Sequence, residues 1–515
     1  MENKKMLKSL TEDLFITQPK FDIYTSVEGG GEYTMPDYYP PIRKLIGYTA
    51  DILPDTKFLS GDALEYGGTL VFNMLYIGED GAIVSLPYSC EYSGNQVLPK
   101  EVRGTGDVYI EASVEDVQCR VLAKRKVSFK ARAAMRICAD EKIQYKLTLA
   151  DDEGNELTSL KKSSVQRLSH TLPVLSRGRG FTTANVTGEM PDSIGAKPIS
   201  CTGSVSVSSV TAAAETVTVK GDISVRCLVF AADGTYKPLK AKLPFEEIIL
   251  CNGVKSVDSI RAWGRVASVS ASIVENSGIE AEIEYDLECE WLRQGDVSII
   301  TDCYSTVSPS TLERKPINAL SPVCCFNTTQ NLSANGKRTV RSQMGEYIID
   351  ASCSAKIEKA EQTGNRVIIN GICNAKVYIA VDGEVICEEV NLPFKTETSA
   401  MTEGAQGKLV TSAFISVPDI NCKLDGDSIS VSAELCISAA CMRENNIEPV
   451  CRISIAKEEN AVAATPQVKV YYPSENESLW EIGKKYNASA SILEDLNGIK
   501  RECVTGGKPV IIPLS

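Results

Sequence analysis

The stretch INGICNAKVYIAVDGEVICEEVNLPF, from Ile369 to Phe394, decides the fold because it reads as one β-hairpin. Apolar side chains alternate after Gly371, and a period of two predicts a strand with one buried face. The dipeptide Asp382-Gly383 supplies the positive φ that a tight hairpin turn requires. We expect Pro393 to close the second strand, since proline cannot donate to an interior ladder.

The same pattern occurs twice more, at intervals of about 150 residues, which is the size of one domain. The first copy is YGGTLVFNMLYIGEDGAIVSLPY from Tyr66, and the second is VKGDISVRCLVFAADGTYKPLKAKLPF from Val219. Copies one and three also share VEDVQC at 114–119 and VPDINC at 417–422, a pair that fits a strand bend. The sequence therefore predicts a mainly β chain of three tandem antiparallel β-sandwich-like repeats, separated by linkers near 155–195 and 305–340.

The charge and hydropathy of the chain argue against several classes of protein. A net charge of −13 disfavours a nucleic-acid partner, which requires a basic face. No run of about 18 apolar residues is present, so we expect no transmembrane segment. The opening MENKKMLKSLTEDLFITQPKF lacks the apolar core and cleavage site of a secretory signal, and we expect a cytosolic protein.

The cysteines also indicate a cytosolic protein. The chain has 18 cysteines but one histidine, His170, and it contains no C-x-x-C motif, so we expect no metal site of the usual Cys/His kinds. Several cysteines, such as Cys227 and Cys373, occupy apolar positions of alternating strands, where a free thiol behaves as a small hydrophobe. A reducing compartment fits this distribution, because crowded cysteines would risk mispaired bridges in an oxidising one.

The last strand of each repeat carries a stripe of side chains opposite its apolar face. In copy two, the strand IEAEIEYDLECEW (279–291) shows only acids there: Glu280, Glu282, Glu284, Asp286, Glu288 and Glu290. In copy one, KVSFKARAAMRI (126–137) shows Lys126, Lys130, Arg132 and Arg136. In copy three the stripe is nearly neutral and consists of Ser430, Ser432, Glu434, Cys436 and Ser438.

The acidic stripe allows three interpretations. Same-face neighbours on a strand lie about 7 Å apart, within the Debye length of about 8 Å at physiological salt, so its carboxylates repel one another unless a basic group is near. The stripe could be a solvated face that opposes aggregation. It could instead dock on the basic stripe of copy one, within one chain or by self-association of two chains. A calcium site is the third, although a flat row of carboxylates does not converge on one ion.

Catalytic motifs are absent from the sequence. There is no phosphate-binding G-x-x-x-x-G-K-[ST] loop and no G-x-G-x-x-G at a strand-to-helix junction, so no nucleotide cofactor is expected. A nucleophile activated by histidine would depend on His170, which lies in the polar stretch KKSSVQRLSH, predicted to be a linker. An acid–base pair of carboxylates remains open, but 67 acidic residues offer no way to choose one. We therefore expect a protein without catalytic residues.

The C-terminal segment from Val468 to Pro513 reads strand, helix, helix, strand. Ser478 is expected to cap the first helix, with Glu481 completing a capping box. Ser489 is expected to cap the second helix, and Asn497-Gly498 to stop it in left-handed geometry. Trp480, Leu493 and Leu496 are expected to form the core of this small domain.

This segment resembles the LysM family over some 46 residues. The carrying motifs are Tyr471, ENESLWEIGKKY, Leu493 with Asn497, Gly506-Gly507 and VIIP; Asn476-Glu477 stands where the family has Gly-Asp. LysM modules bind chains that contain N-acetylglucosamine, such as peptidoglycan, between two loops, which here would be 474–479 and 496–501. The resemblance implies that ligand or partner contacts come from Ser474, Asn476, Glu477, Ser478, Leu479, Leu496, Asn497, Gly498 and Ile499.

Three strand-rich repeats followed by a LysM module resemble the SPOCS-repeat spore coat morphogenetic proteins of Firmicutes, and IRKLIGYTADILPDTKFLSGDALEYGGTLVFNMLYI (42–77) matches the opening of that repeat. The resemblance implies a scaffold in the mother-cell cytosol that gathers on the forespore surface. Its implied partners are the spore coat morphogenetic ATPase, other coat proteins, and peptidoglycan or cortex glycan. The expected domains are an N-terminal segment with the first β-repeat (1–150), a second β-repeat (170–305), a third (335–457) and a LysM domain (467–515).

Two other functions stay open at this point. One is a peptidoglycan-binding cell-wall protein, which would require export, and the sequence lacks the signal for it. The other is a glycan-active enzyme with unrecognised carboxylates, for which the shared V-x-D-x-x-C motif is the one feature, absent from copy two.

Overall fold

The computed structural model describes residues 14–60, 63–98, 108–151, 164–274, 278–340, 345–401, 407–456, 467–500, 503 and 507–514. Within these ranges the chain is mainly β, as predicted, and holds two short helices. Residues 1–13 of the expected N-terminal segment and residues 155–163 of the expected first linker lie outside the described ranges.

Three units of six strands follow one another along the chain. The first unit contains β1 (Leu14–Thr34), β2 (Ile42–Ser60), β3 (Ala63–Gly78), β4 (Ile83–Val97), β5 (Val108–Ala123) and β6 (Lys126–Tyr145). The second contains β8 (Val165–Met190), β9 (Lys197–Ala213), β10 (Thr216–Phe230), β11 (Tyr236–Leu250), β12 (Ser259–Val274) and β13 (Gly278–Ser305). The third contains β15 (Ile317–Lys337), β16 (Glu346–Thr363), β17 (Arg366–Val381), β18 (Glu384–Ser399), β19 (Lys408–Asp425) and β20 (Ser428–Ile447).

Each unit is a sandwich of two three-stranded antiparallel sheets. One sheet is β1-β6-β5, β8-β13-β12 or β15-β20-β19, and the other is β2-β3-β4, β9-β10-β11 or β16-β17-β18. In the first unit Phe72 of β3 meets Phe129 of β6 with ring centroids 5.3 Å apart, in one core that both sheets share. The alternation found in the sequence therefore arises because each central strand turns one face toward the opposite sheet.

The predicted Asp-Gly hairpin turns are present in all three units. Gly81, Gly234 and Gly383 have φ of 84°, 80° and 81°, values that only glycine adopts without cost. In the third unit Asp382 also has a positive φ of 52°. That turn therefore has two left-handed residues, as the tightest hairpins require.

The prediction that the Leu-Pro pair closes a strand was wrong. Pro87, Pro244 and Pro393 lie inside β4, β11 and β18, paired with Asn73, Asp222 and Ile372 of the neighbouring strand. Each of these proline-containing strands is at the edge of its sheet. A proline is tolerated there because the outer side of an edge strand has no ladder partner for an N–H.

The glycine that opens each repeat has a steric reason. A Cβ added at Gly68, Gly221 or Gly371 would lie 2.2, 2.0 and 2.2 Å from a backbone carbonyl oxygen of the adjoining strand. The pairing register shifts beside each of these positions, which marks a β-bulge. The bulge pushes a carbonyl into the space that a side chain would occupy, and only glycine leaves that space open.

The expected linkers near 155–195 and 305–340 are largely strands. β8 takes up 165–190 and β15 takes up 317–337, so the second and third units begin earlier than the sequence suggested. Both are edge strands whose outward positions are polar, and that composition was read as loop. His170 is thus an exposed strand residue opposite Ile299 rather than part of a linker.

The V-x-D-x-x-C motif marks a second bulge, as expected of a strand bend. The register shifts between Val114 and Asp116 in β5 and between Ser416 and Asp419 in β19. The same shift occurs in β12 of the second unit, between Val266 and Ser268, where the motif is absent. The bulge is therefore common to the three units, and the motif is one of two sequences that form it.

The three units meet around a common axis. Leu75, Leu228 and Tyr378, each seven residues after the repeat's glycine, pack in a single apolar cluster. Tyr145, Val297 and Ile447, which also occupy matching positions in the three units, pack in another. At this second end a small sheet joins β14 (Ser310–Arg314), β21 (Val450–Ile455) and β7 (Thr148–Asp151), with β7 parallel to β21.

The C-terminal segment forms a βααβ module, here meaning residues 467–514. Its elements are β22 (Gln467–Tyr471), α1 (Leu479–Tyr486), α2 (Ala490–Asn497) and β23 (Val510–Leu514). Leu479, Ile482, Leu493, Val510 and Ile512 make its core. In the described part of the chain, no helix has the length and apolar character needed to cross a membrane.

A glycine at the bulge should be indispensable for stability. We expect Gly371→Ala to lower the free energy of unfolding by about 1–3 kcal/mol, because the new methyl group overlaps the Lys356 carbonyl oxygen. Gly295→Ala is the matched control, since its Cβ would meet only a methyl group at 3.7 Å. Urea unfolding measures both, and equal destabilisation would show that crowding at the bulge is not the cause.

Candidate functional site

The two loops of the βααβ module are the ligand or partner site predicted from the sequence. In the first loop Ser474 and Asn476 are exposed, while Glu477 and Ser478 are half-buried. In the second, Leu496 is 49% exposed, Gly498 is exposed, and Asn497 and Ile499 are half-buried. Residue 501, which ends the second loop as expected from the sequence, lies outside the described ranges.

Glu477 is engaged inside its own loop. Its carboxylate accepts hydrogen bonds from the Tyr471 hydroxyl at 3.0 Å and from the Ser474 backbone N–H at 3.3 Å. Lys485 lies 3.9 Å from the same carboxylate. The acid therefore closes the loop against β22 and α1, which is a structural task.

Asn497 and Leu479 also serve the fold of the module. The Asn497 amide donates to the Leu493 and Ile511 carbonyl oxygens at 2.9 Å each, and its oxygen accepts from the Ile511 N–H at 2.8 Å. These bonds tie the end of α2 to β23. The Leu479 side chain is fully buried in the core, so it is not accessible to a ligand.

The helix caps follow the prediction in part. The Ser478 hydroxyl accepts from the Glu481 N–H at 3.2 Å, and the Glu481 carboxylate accepts from the Ser478 N–H at 2.7 Å, which completes the capping box. Gly498 ends α2 with a φ of 65°. Ser489 occupies the N-cap of α2, but its hydroxyl pairs with that of Ser491 instead of a helix N–H.

Trp480 and Leu496 are not in the module core, contrary to the prediction. Trp480 instead packs edge-on against Tyr304 of β13, with ring centroids 4.9 Å apart. Its indole N–H donates to Asp302 at 2.9 Å, and Lys484 donates to the same carboxylate at 2.8 Å. Leu496 lies half-exposed on α2 because Leu493 already fills the space between the helix and the sheet.

A second set of bonds completes this contact, which we call the latch (Asp302, Tyr304, Trp480 and Lys484). The Tyr304 hydroxyl donates to the Ala488 carbonyl oxygen at 2.7 Å. The Ala490 N–H donates to the Gln166 side chain of β8 at 3.2 Å. Asp302 and Tyr304 were missed because they are distant in sequence, and no local pattern connects them to the module.

The basic stripe of the first unit is paired with carboxylates of that same unit. Lys130 lies 2.8 Å from Glu28 and Arg132 lies 3.2 Å from Glu115. Lys126 pairs with Glu32. These residues lie on β1, β5 and β6, so the stripe is neutralised by the neighbouring strands of its own sheet.

Along the acidic stripe of β13, exposure is greatest at the second and third members and falls from there toward the junction-side end. Glu282 and Glu284 are exposed, and Glu280, Asp286 and Glu288 are half-buried. Hydroxyl groups on the two neighbouring strands reach two of them: Thr183 donates to Asp286 at 2.6 Å, and Ser268 donates to Glu284 at 3.4 Å. Glu290, the last member, is completely buried.

Glu290 is surrounded by three guanidinium groups. Arg261 approaches it at 2.7 Å, Arg179 at 3.3 Å and Arg177 at 3.5 Å. Burial alone would raise the pKa of Glu290, but the charges of the three arginines outweigh it and hold the pKa well below its usual range. The side chain is therefore a carboxylate at any physiological pH.

The same arginines join the second unit to the other two. Arg261 donates to the Ser412 and Ser438 carbonyl oxygens of the third unit at 3.0 and 3.2 Å. Arg177 pairs with Asp140 of the first unit, and Arg179 lies 3.6 Å from Glu111 of that unit.

The first unit also reaches the third directly. Arg136, the last residue of the basic stripe, donates to the Thr411 carbonyl oxygen at 3.2 Å and to Asp22 at 2.8 Å. Burial opposes its charge, but Asp22 and Glu111 raise the pKa of Arg136 above its usual value. We call this meeting point the junction; its charged members are Asp22, Glu111, Arg136, Asp140, Arg177, Arg179, Arg261 and Glu290.

Aromatic rings cover the guanidinium groups of the junction. Tyr109 lies 4.9 Å from Arg177 and 4.1 Å from Arg179, measured from ring centroid to guanidinium carbon. Trp263 lies 4.5 Å from Arg261 in the same way. Rings at this distance attract a desolvated cation, so they add to the pairing with carboxylates.

Neither similarity to known proteins nor a cluster of metal ligands assigns a further role to the site. Neither a protein-family model, nor a curated protein, nor a solved structure matches the chain. In the part of the chain that the structure describes, no group of three or more His, Cys, Asp or Glu side chains is placed to hold a metal ion.

Removing the charge of Glu290 should loosen the junction. We expect Glu290→Gln to lower the free energy of unfolding by about 3–5 kcal/mol, because the buried Arg261 and the partly buried Arg177 and Arg179 lose their common partner. Glu282→Gln on the exposed part of the same stripe should change it by less than about 0.5 kcal/mol. Chemical denaturation of the full chain measures both.

The pH dependence of stability tests the role of Glu290 independently. The folded pKa of Glu290 is depressed, so its stabilisation is complete above the unfolded value of about 4.3 and declines as the pH falls through the folded pKa. The stability difference between wild type and Glu290→Gln should therefore narrow in acid. A difference that stays constant from pH 7 to strongly acidic solution would contradict this account.

The latch can be opened by crowding its closest contact. A Cβ at Gly483 would lie 2.4 Å from the Tyr304 hydroxyl. Inside the module the same Cβ would lie 3.2 Å from Leu493 and 3.3 Å from the Ala488 carbonyl oxygen, which shifts of a few tenths of an ångström relieve, and alanine favours α1 by about 1 kcal/mol over glycine. Gly483→Ala should therefore expose Trp480, with red-shifted emission and stronger acrylamide quenching, since Trp263 and Trp291 stay buried. Ser491→Ala, on the exposed side of the module, should leave both signals unchanged.

Proposed function

We propose that the chain is a non-enzymatic scaffold of the spore envelope, whose C-terminal module docks a coat morphogenetic protein. In this proposal the three units are SPOCS repeats and the βααβ module is a LysM domain. The protein acts in the mother-cell cytosol at the forespore surface. The observation that carries the proposal is the latch, which holds the module against the second unit while Ser474, Asn476, Leu496 and Gly498 of its loops stay exposed.

The junction supports a structural role for the three units. It draws buried charges from the first and second units and backbone acceptors from the third, so the units cannot separate without leaving charges unpaired. A scaffold needs such rigidity, because it must present one partner at a defined distance and direction from another. The charged side chains of the junction pair with one another, and several of them line a small cavity where the three units meet.

The loops of the module favour a protein partner over a sugar. Sugar recognition relies on polar side chains and backbone groups that are placed to bond hydroxyl groups. Here the side chains of Glu477 and Asn497 are committed to the fold of the module. Leu496 instead offers an exposed apolar contact beside Gly498, which is suited to a protein surface.

The test uses the full chain with one change in the loop. Leu496→Arg places a charge on the proposed docking surface, and Ile492→Arg is its control, because Ile492 lies on the same helix and is 48% exposed against 49% for Leu496. Each protein is immobilised and incubated with a sporulating-cell lysate, and bound proteins are identified by mass spectrometry. A parallel assay measures sedimentation with purified peptidoglycan.

The outcomes separate the proposal from its alternatives. We expect the wild type and Ile492→Arg to retain a coat ATPase, and Leu496→Arg to lose most of it. Retention on peptidoglycan that Leu496→Arg abolishes, without capture of the ATPase, would favour a wall- or cortex-binding protein. Capture that is equal for all three proteins would place the docking surface outside the module loops.

A further inference from the structure

Two cysteines of the second unit face each other across adjacent strands. Cys201 of β9 and Cys227 of β10 are direct partners in the antiparallel register. Direct partners in such a pair have Cα atoms about 4.5–5.5 Å apart, inside the range of about 4.4–6.8 Å that disulfides span. Both thiols are free in this structure.

The two thiols also interact. A hydrogen bond from the Cys201 thiol lowers the pKa of Cys227 and raises that of Cys201. Cys227 is fully buried, whereas Cys201 is half-buried and packs against the edge of the same core. Cys201 is therefore the member of the pair that a small reagent meets first, and Cys227 is held beside it as the better nucleophile.

Other thiol pairs lack either the direct cross-strand position or the half-buried member. Cys251 and Cys289 interact, but both are fully buried. Cys324 and Cys441 are also direct partners, across β15 and β20, but both are buried. Cys353 is half-buried, yet its direct partner is Ala375, and Cys373 lies two residues before Ala375 on β17. A diagonal pair of this kind has Cα atoms about 7–8 Å apart, beyond the usual disulfide range.

The Cys201–Cys227 pair lies where the second unit touches both others. Ser200, next to Cys201, accepts a hydrogen bond from Asn73 of the first unit at 3.0 Å. Arg226, next to Cys227, pairs with Asp350 of the third unit at 2.6 Å. A covalent bond between β9 and β10 at this point would hold together the two strands on which the other units rest.

We propose that Cys201 and Cys227 are a modification site, a dithiol that a peroxide oxidises to a disulfide. The peroxide transfers one oxygen atom to the Cys201 sulfur, which becomes a sulfenic acid while the reduced peroxide leaves as water. The Cys227 sulfur then attacks the Cys201 sulfur, and the hydroxyl group departs as a second water with the thiol proton. Two thiols lose two electrons and two protons, and hydrogen peroxide is reduced to two molecules of water.

The experiment treats the reduced full chain with hydrogen peroxide, blocks remaining thiols at intervals with an alkylating agent, and maps linked peptides without reduction. We expect the Cys201–Cys227 link to form several-fold faster than the Cys324–Cys441 link and a Cys353–Cys373 link. The oxidised protein should melt a few degrees higher than the reduced protein, because the bond closes a loop in the unfolded chain.

Two variants control the result. In Cys201→Ser the buried Cys227 should stay reduced, and peroxide should leave the melting temperature unchanged. Cys353→Ser should form the Cys201–Cys227 link at the wild-type rate. The proposal is overturned if Cys201 oxidises while Cys227 remains a free thiol, or if the buried pair links as fast as the half-buried one.

Discussion

The arrangement of the three units depends on one buried carboxylate and the arginines around it. Glu290 is inaccessible to solvent and contacts Arg177, Arg179 and Arg261. Buried ion pairs add little net stability compared with apolar packing, yet a buried charge that loses its partner is costly. The junction therefore acts mainly by excluding other arrangements of the units. Any arrangement that leaves one of these charges buried without a partner is unfavourable. The apolar clusters at either end supply the favourable burial, and the junction selects the orientation in which that burial occurs.

The features that the sequence predicted well are those that arise between residues close together in the chain. Alternating residues, Asp-Gly turns and the Ser478 capping box depend on neighbours a few positions away, so the local pattern contains them. The errors concern properties that only the assembled sheet has. Pro393 ended a strand in the prediction because nothing local says that β18 is an edge. The polar stretch containing β8 was read as a linker for the same reason, since one side of an edge strand faces solvent.

In the candidate site, too, the local features were predicted and the long-range contacts were not. The loops of the module were placed correctly along the chain, but the roles of Glu477, Asn497 and Trp480 come from contacts that no spacing encodes. The stripes were visible as alternation, and their charges were read correctly. What could not be read was that β13 continues past its own sandwich, so that Glu290 leaves the solvated face and enters the junction while Glu282 does not.

Repetition around an axis explains why the copies had to diverge. Cys138, Glu290 and Ala440 occupy matching positions on the three central strands, each twelve residues after the strand begins. Three carboxylates meeting there would repel one another in a medium that screens charge poorly. The structure has instead one carboxylate, a thiol and a methyl group, and their strand neighbours differ to match: Asp22 and Tyr109 in the first unit, Arg179 and Arg261 in the second, Cys325 and Ser412 in the third. The first and second units supply four charged side chains each, and the third supplies mainly hydroxyl and carbonyl acceptors, so each unit fits only its own place around the axis.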